Sequence, residues 1–244
     1  MLDPIIATWS RPDIVLVTLF ALSTTLLWRV PLIGMLFYPF RLLNTFIHEL
    51  GHGFAALLTG GSFERFIVRP DMSGLALIRG GNLLVVASAG YVGAALFGGF
   101  LILLSATDLA TQTILLGLGL GLGLLCLLFV RNGFGVLAGL LLAASLGAAG
   151  WYFNDGVATL LVAVLALQMP LAAMHSLIDL LRRSVRRPQD GQVSDAELLA
   201  ERTRVPALIW ATLWLFSALA IMVLTVTFAY HDTVLLPRIA SFGW

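Results

Sequence analysis

Five residues carry the strongest chemical signal in the chain. His48-Glu49-Leu50-Gly51-His52 is an H-E-x-x-H pattern. Residues four apart share one face of a helix, so two imidazoles at that spacing can ligate one zinc ion. The intervening glutamate can reach a water held there and act as general base. With four His and four Glu in 244 residues, random placement yields about 0.001 such motifs. The bland alternative is a set of polar residues packed by neighbouring helices. It is weak here, because the surrounding residues are apolar and hydrocarbon supplies no hydrogen-bond partner.

The rest of the sequence explains that setting. Hydrophobic residues make up 59% of the chain and charged residues 11%, against about a quarter charged in soluble domains. The mean hydropathy is +0.98. A water-soluble globule cannot hide so much apolar surface, so the chain reads as an all-α polytopic membrane protein forming a single integral domain. The 14 basic residues are all arginine, and 13 acidic residues leave a net charge of +1. No long-range field exists to attract nucleic acid. Cys126 is the one cysteine and can form no internal disulfide.

A crossing needs about 20 apolar residues. Seven stretches are candidates, with six as the alternative count: 14–27, 40–59, 83–105, 112–130, 134–153, 157–181 and 208–230. Pro170 lies inside the sixth and predicts a kink. Arg182, Arg183, Arg186, Arg187, Arg202 and Arg204 cluster in the 182–206 loop, which the positive-inside rule makes cytoplasmic. Counting back puts the stretch holding Arg65, Arg69 and Arg79 on the same face, the N-terminus cytoplasmic and the C-terminus outside. Arg29 then falls outside, against the rule. No cleavable signal peptide is evident. Ser194-Asp195-Ala196-Glu197 has the form of a capping box for a short surface helix. Gly117, Gly119, Gly121 and Gly123 form two small-xxx-small pairs suited to close helix packing. Residues 62–81 are too polar to cross. Phe66 and Val68 alternate with their neighbours, as do Leu75 and Leu77, around Pro70-Asp71-Met72-Ser73-Gly74. This predicts a membrane-associated β-hairpin at the cytoplasmic face.

A catalytic zinc usually takes three protein ligands. Asp179, near the cytoplasmic end of the sixth span, is the expected third, since a carboxylate there needs a counter-ion. An ion pair with Arg182 or Arg183 is its alternative. His175, one turn earlier, is a further ligand, a supporting donor, a transition-state stabiliser or a core histidine. Asn44, one turn before His48, is placed to orient it. His231 reads as an interfacial residue.

Asn44 through Gly53, followed by Gly60-Gly61 and a polar hairpin, resembles the site-2 protease class of intramembrane zinc metalloproteases, in particular its short bacterial branch without a PDZ domain. The likeness runs from about Asn44 through the Arg-rich loop and includes Ser194-Asp195-Ala196 before the final span. It implies a core over about 40–181, with His48 and His52 holding one Zn2+ per chain, Glu49 as the catalytic acid/base and an aspartate on a later helix completing the site, a role Asp179 fits. Pro170 follows Met169, and Asp179 sits between Ile178 and Leu180, so the family's Asn-Pro and Leu-Asp-Gly stretches are not reproduced. The expected activity is hydrolysis of a membrane-spanning substrate in a bacterial inner membrane. The hairpin, through Phe66 and Val68, would pair with an unwound substrate as an extra strand. A non-proteolytic zinc-bound scaffold and a metal or small-solute transporter remain as rivals. Neither has much need of Glu49, and a transporter would show repeated halves or several midplane acids.

Overall fold

A computed structural model describes residues 3–27, 30–107, 109–185 and 193–230. Arg29, Asp108, Arg186, Arg187 and His231 lie outside these, as do the side chains of Asp179, Arg182 and Arg183. The elements are α1 (Asp3–Trp9), α2 (Pro12–Leu27), α3 (Pro31–Leu36), α4 (Tyr38–Leu58), β1 (Ser62–Val68), β2 (Gly74–Arg79), α5 (Leu83–Ser105), α6 (Thr111–Phe129), α7 (Gly133–Tyr152), α8 (Asp155–Val185), α9 (Asp195–Thr203) and α10 (Ala207–Tyr230). The chain is a helical multi-pass membrane protein with one small sheet.

Among the described residues, five helices are long and apolar enough to cross a bilayer: α5, α6, α7, α8 over Asp155–Ile178, and α10. The two further stretches in the expected count of seven are α2 and α4. The 16 residues of α2 cover about 24 Å at 1.5 Å per residue, short of a hydrocarbon core of about 30 Å. The 21 residues of α4 carry Arg41, His48, Glu49 and His52, which lower its hydropathy. Pro170 sits within α8 without ending it. Gly98 of α5 faces the proline ring, and a Cβ there would overlap it.

α5 and α10 run in the same direction. Trp214 Nε1–H donates to Ser88 Oγ (2.9 Å) toward one end, and the Ser105 and Tyr230 hydroxyls meet at 2.8 Å at the other. The hairpin precedes α5 and α9 precedes α10, so both lie at the same end of the bundle. α1 and the start of α2 lie at the opposite end. Trp9 Nε1–H donates to Thr227 Oγ1 (3.1 Å) and the Arg11 guanidinium to the Tyr230 carbonyl (2.5 Å). The start of α2 thus packs beside the end of α10.

The hairpin doubles back along α4. Gly60 (φ +81°) turns the chain out of the helix, and Gly80 and Gly81 (φ +69° and +83°) turn it into α5. Asn82 caps α5 by accepting from the Leu84 and Val85 amides. The two strands pair antiparallel, Phe66 opposite Ala76 and Val68 opposite Gly74. An irregularity between Phe63 and Arg65 lets Phe63 and Phe66, three residues apart, both face inward. At the tip, Asp71 Oδ1 accepts from the Ser73 amide (2.9 Å) and hydroxyl (2.7 Å). The Thr45 hydroxyl donates to the Met72 carbonyl (2.9 Å) and the Tyr38 hydroxyl to the Pro70 carbonyl (2.9 Å), so the tip is tied to the first half of α4.

In α6 the alternating glycines divide by face. A Cβ on Gly119 would stand 2.7 Å from the Ala143 carbonyl oxygen and 2.8 Å from the Gly147 nitrogen of α7, whereas Gly117 and Gly121 face open space. Gly119→Ala is therefore expected to lower stability by about 1–3 kcal/mol through overpacking, and Gly117→Ala to leave it unchanged. Thermal unfolding of the two variants in detergent checks this.

Candidate metal centre

On α4 the spacing of the motif has the expected result. His48 and His52 project from one face, their Nε2 atoms 3.0 Å apart and their rings edge to face, with centroids 4.6 Å apart. His52 is held by its other nitrogen: Nδ1 lies 2.7 Å from the Val86 carbonyl oxygen of α5. A carbonyl only accepts, so Nδ1 carries the proton and the Nε2 lone pair is free to bind an ion.

A third donor completes the triangle, and it comes from α9. Asp195 Oδ2 lies 3.4 Å from His48 Nε2 and 3.5 Å from His52 Nε2. Four ligands at ~2.0–2.1 Å from a tetrahedral ion lie about 3.3 Å from one another, so the three atoms form one face of such a shell. They are the group among the described residues able to hold a metal ion. Burial alone would raise the Asp195 carboxyl, but the facing imidazoles of His52 and His48 hold it well below the usual carboxylate range.

Backbone room exists for an ion. Gly90 of α5 faces both rings, and a Cβ there would stand 2.5 Å from His52 Nε2 and 2.6 Å from His48 Nε2. Close helix packing puts it there: the Gly51 Cα of α4 lies 3.7 Å from where a Cβ on Gly93 would be, and a Cβ on Gly51 would overlap the Ala89 carbonyl. The donor set of two imidazoles and one carboxylate suits zinc.

Asp195 sits where it does because α9 is both capped and docked. Ser194 caps the helix by accepting from the Glu197 amide (3.3 Å), and Glu197 accepts in return from the Ser194 amide (2.7 Å). Ala196 and Leu199, both fully buried, pack with Ala87, Leu177, Leu180 and Trp214. Arg204 ends the helix in the left-handed conformation. Among the described residues the third donor is Asp195; Asp179, the expected third donor, lies on α8 with its side chain outside the described residues. The capping box was legible, but an acid in the first turn of a capped helix ordinarily serves only the helix dipole, and a loop of unknown path carries no distance information. The likeness of Ser194-Asp195-Ala196 to the site-2 protease class was the signal that pointed there.

The other expected residues separate. Glu49 is buried at 5% exposure. Its carboxylate packs on Gly74, where a Cβ would overlap it, and faces the backbone N–H of Ala76. Asn44 is buried, and its Oδ1 finds no hydrogen-bond partner among the described residues. It makes no described contact with His48. His175 lies on α8, outside the donor group. Phe66 and Val68, expected to pair with substrate, are fully buried. Phe66 packs edge to face on Phe46, centroids 5.7 Å apart. The free edge of β1 is also taken. The Arg131 amide donates to the Phe66 carbonyl (3.2 Å), and the Asn132 side chain accepts from the Val68 amide (3.1 Å) and donates to its carbonyl (2.7 Å).

A family model described as Peptidase M50B-like matches residues 14–225. Comparison with curated proteins and with solved structures gives no match. The matched span takes in α4, the hairpin, α9 and nearly all of α10, and so every residue of the donor triangle. The chain belongs to the Peptidase M50B-like family, in agreement with its likeness to the site-2 proteases.

Proposed function

We propose that this protein is an intramembrane zinc metalloprotease that hydrolyses peptide bonds in or near membrane-spanning segments of its substrates. The observation that carries the reading is the Nε2, Nε2, Oδ2 triangle of His48, His52 and Asp195 beside the buried carboxylate of Glu49. His48, His52 and Asp195 would hold the Zn2+, which when bound would supply an acidified water and polarise a carbonyl. Glu49 takes the proton from the attacking water as the new C–O bond forms, then delivers it to the amine as the C–N bond breaks. The arginine pattern supports reading this end of the bundle as the cytoplasmic one, and the membrane proposed is a bacterial inner membrane.

The hairpin supplies the place for an unwound substrate, on β2 rather than β1. Phe66 and Val68 turn their backbone groups away from β2, toward Arg131 and Asn132. In an antiparallel ladder their partners Ala76 and Gly74 then turn theirs away from β1, and Ile78 follows by alternation. A strand added to that edge would lie against the Glu49 carboxylate, which already meets Ala76 and Gly74. Glu49 between the ligands and this edge above it favour a peptidase over a scaffold or transporter.

Two experiments follow. Metal analysis of purified protein should find one zinc per chain in the wild type and in Glu49→Gln, which loses at least roughly a hundredfold in proteolysis as general acid–base catalysis goes. Asp195→Ala should lose the metal and Asp179→Ala should keep it. A Glu49→Gln protein with full proteolytic activity would end the enzyme assignment. Separately, Ile78→Pro removes an outward amide, a substitution that an edge position tolerates. It should cut kcat/KM toward a transmembrane substrate up to about tenfold, the worth of one hydrogen bond, with metal content unchanged.

A further inference from the structure

We infer that Tyr91, backed by Trp214, is the residue that positions His48 for metal binding. The inference rests on the metal-centre reading above and extends it to α5 and α10.

The two histidines are anchored differently. His52 has a backbone carbonyl on Nδ1, the usual arrangement for a ligating imidazole. His48 uses Nε2 in each of its described polar contacts, with His52 and Asp195. Among the described residues no hydrogen bond reaches its Nδ1, so the ring lacks the second anchor that the Val86 carbonyl gives His52.

An aromatic chain fills that role. The ring of Tyr91 stands edge to face with His48, centroids 4.6 Å apart and planes at 78°. Tyr91 is stacked in turn on Trp214, with centroids 5.3 Å apart and planes 20° from parallel. Trp214 is buried at 3% exposure, and its indole N–H is fixed on Ser88 Oγ. Ser88 lies one turn before Tyr91 on α5, so the stack is tied to the helix that carries it. The imidazole of His48 is thus in edge-to-face contact with the rings of both His52 and Tyr91. Turning it out of the donor triangle would give up these contacts. The contact with His48 is ring to ring, so it is kept in Tyr91→Phe and lost in Tyr91→Leu.

Co2+ substitution tests this without reference to proteolysis, since d–d bands report ligand geometry. Against the wild type, Tyr91→Phe should retain Co2+ affinity and band positions. Tyr91→Leu should weaken affinity by roughly 10–100-fold, the range for lost support of a metal ligand, and shift the bands. Tyr91→Leu with wild-type affinity and spectrum overturns the inference, as does Tyr91→Phe impaired to the level of Tyr91→Leu. Should Tyr91→Leu fail to fold, Ser88→Ala frees the indole, and the expected result is a shifted spectrum, with an unchanged one overturning the inference. Wild-type protein that takes up no Co2+ overturns the metal reading itself, a different outcome from any of these.

Discussion

Two imidazole nitrogens 3.0 Å apart, with a carboxylate oxygen 3.4–3.5 Å from each, form the interaction on which the architecture turns. In an apolar surrounding, such a cluster persists only if its members satisfy one another or share a cation. The two histidines belong to one helix and need only its pitch. The aspartate lies more than 140 residues away in sequence, on a nine-residue helix. Bringing it to the histidines is the task that the packing of α5, α8, α9 and α10 accomplishes. Leu199 and Ala196 insert α9 into the same cluster that holds Trp214, and the Trp210 indole N–H donates to the Thr203 hydroxyl (3.2 Å) at the end of α9. α10 therefore supports the centre through α9 and, by way of Tyr91, through His48.

Small residues make the centre possible as much as the ligands do. Gly51 and Gly93 let α4 and α5 approach closely, and Gly90 leaves room at the tips of the imidazoles. Gly74 gives Glu49 its seat under β2. Each glycine is a point where backbone passes within reach of a polar side chain. A peptidase has a physical need for that closeness, because the chain being cut must come as near to the same groups.

The helical class, the motif face, the hairpin with its turn and the capping box could all be read from local pattern. H-E-x-x-H fixes its own geometry through helical pitch, and Pro70-Asp71-Met72-Ser73-Gly74 encodes a turn through its own side chains. What could not be read are the relations between segments distant in the chain. Asp195 is one, since a capped first turn looks the same whether its acid faces water or a metal. Gly90 and Tyr91 are others, because a glycine and an aromatic in an apolar span read as ordinary packing. The sealing of β1 by Asn132 escaped for the same reason: alternation identifies a strand but not which of its edges is left open. The span count is least legible where length is marginal, in α2, and where Arg41, His48, Glu49 and His52 dilute hydropathy, in α4.

The most direct measurement on the centre is X-ray absorption at the zinc edge of the purified wild-type protein. The account predicts a first shell of two imidazole nitrogens and light oxygen donors, including one carboxylate, at about 2.0–2.2 Å. A shell with fewer than two imidazoles would contradict it, because the ion would then be held away from His48 and His52.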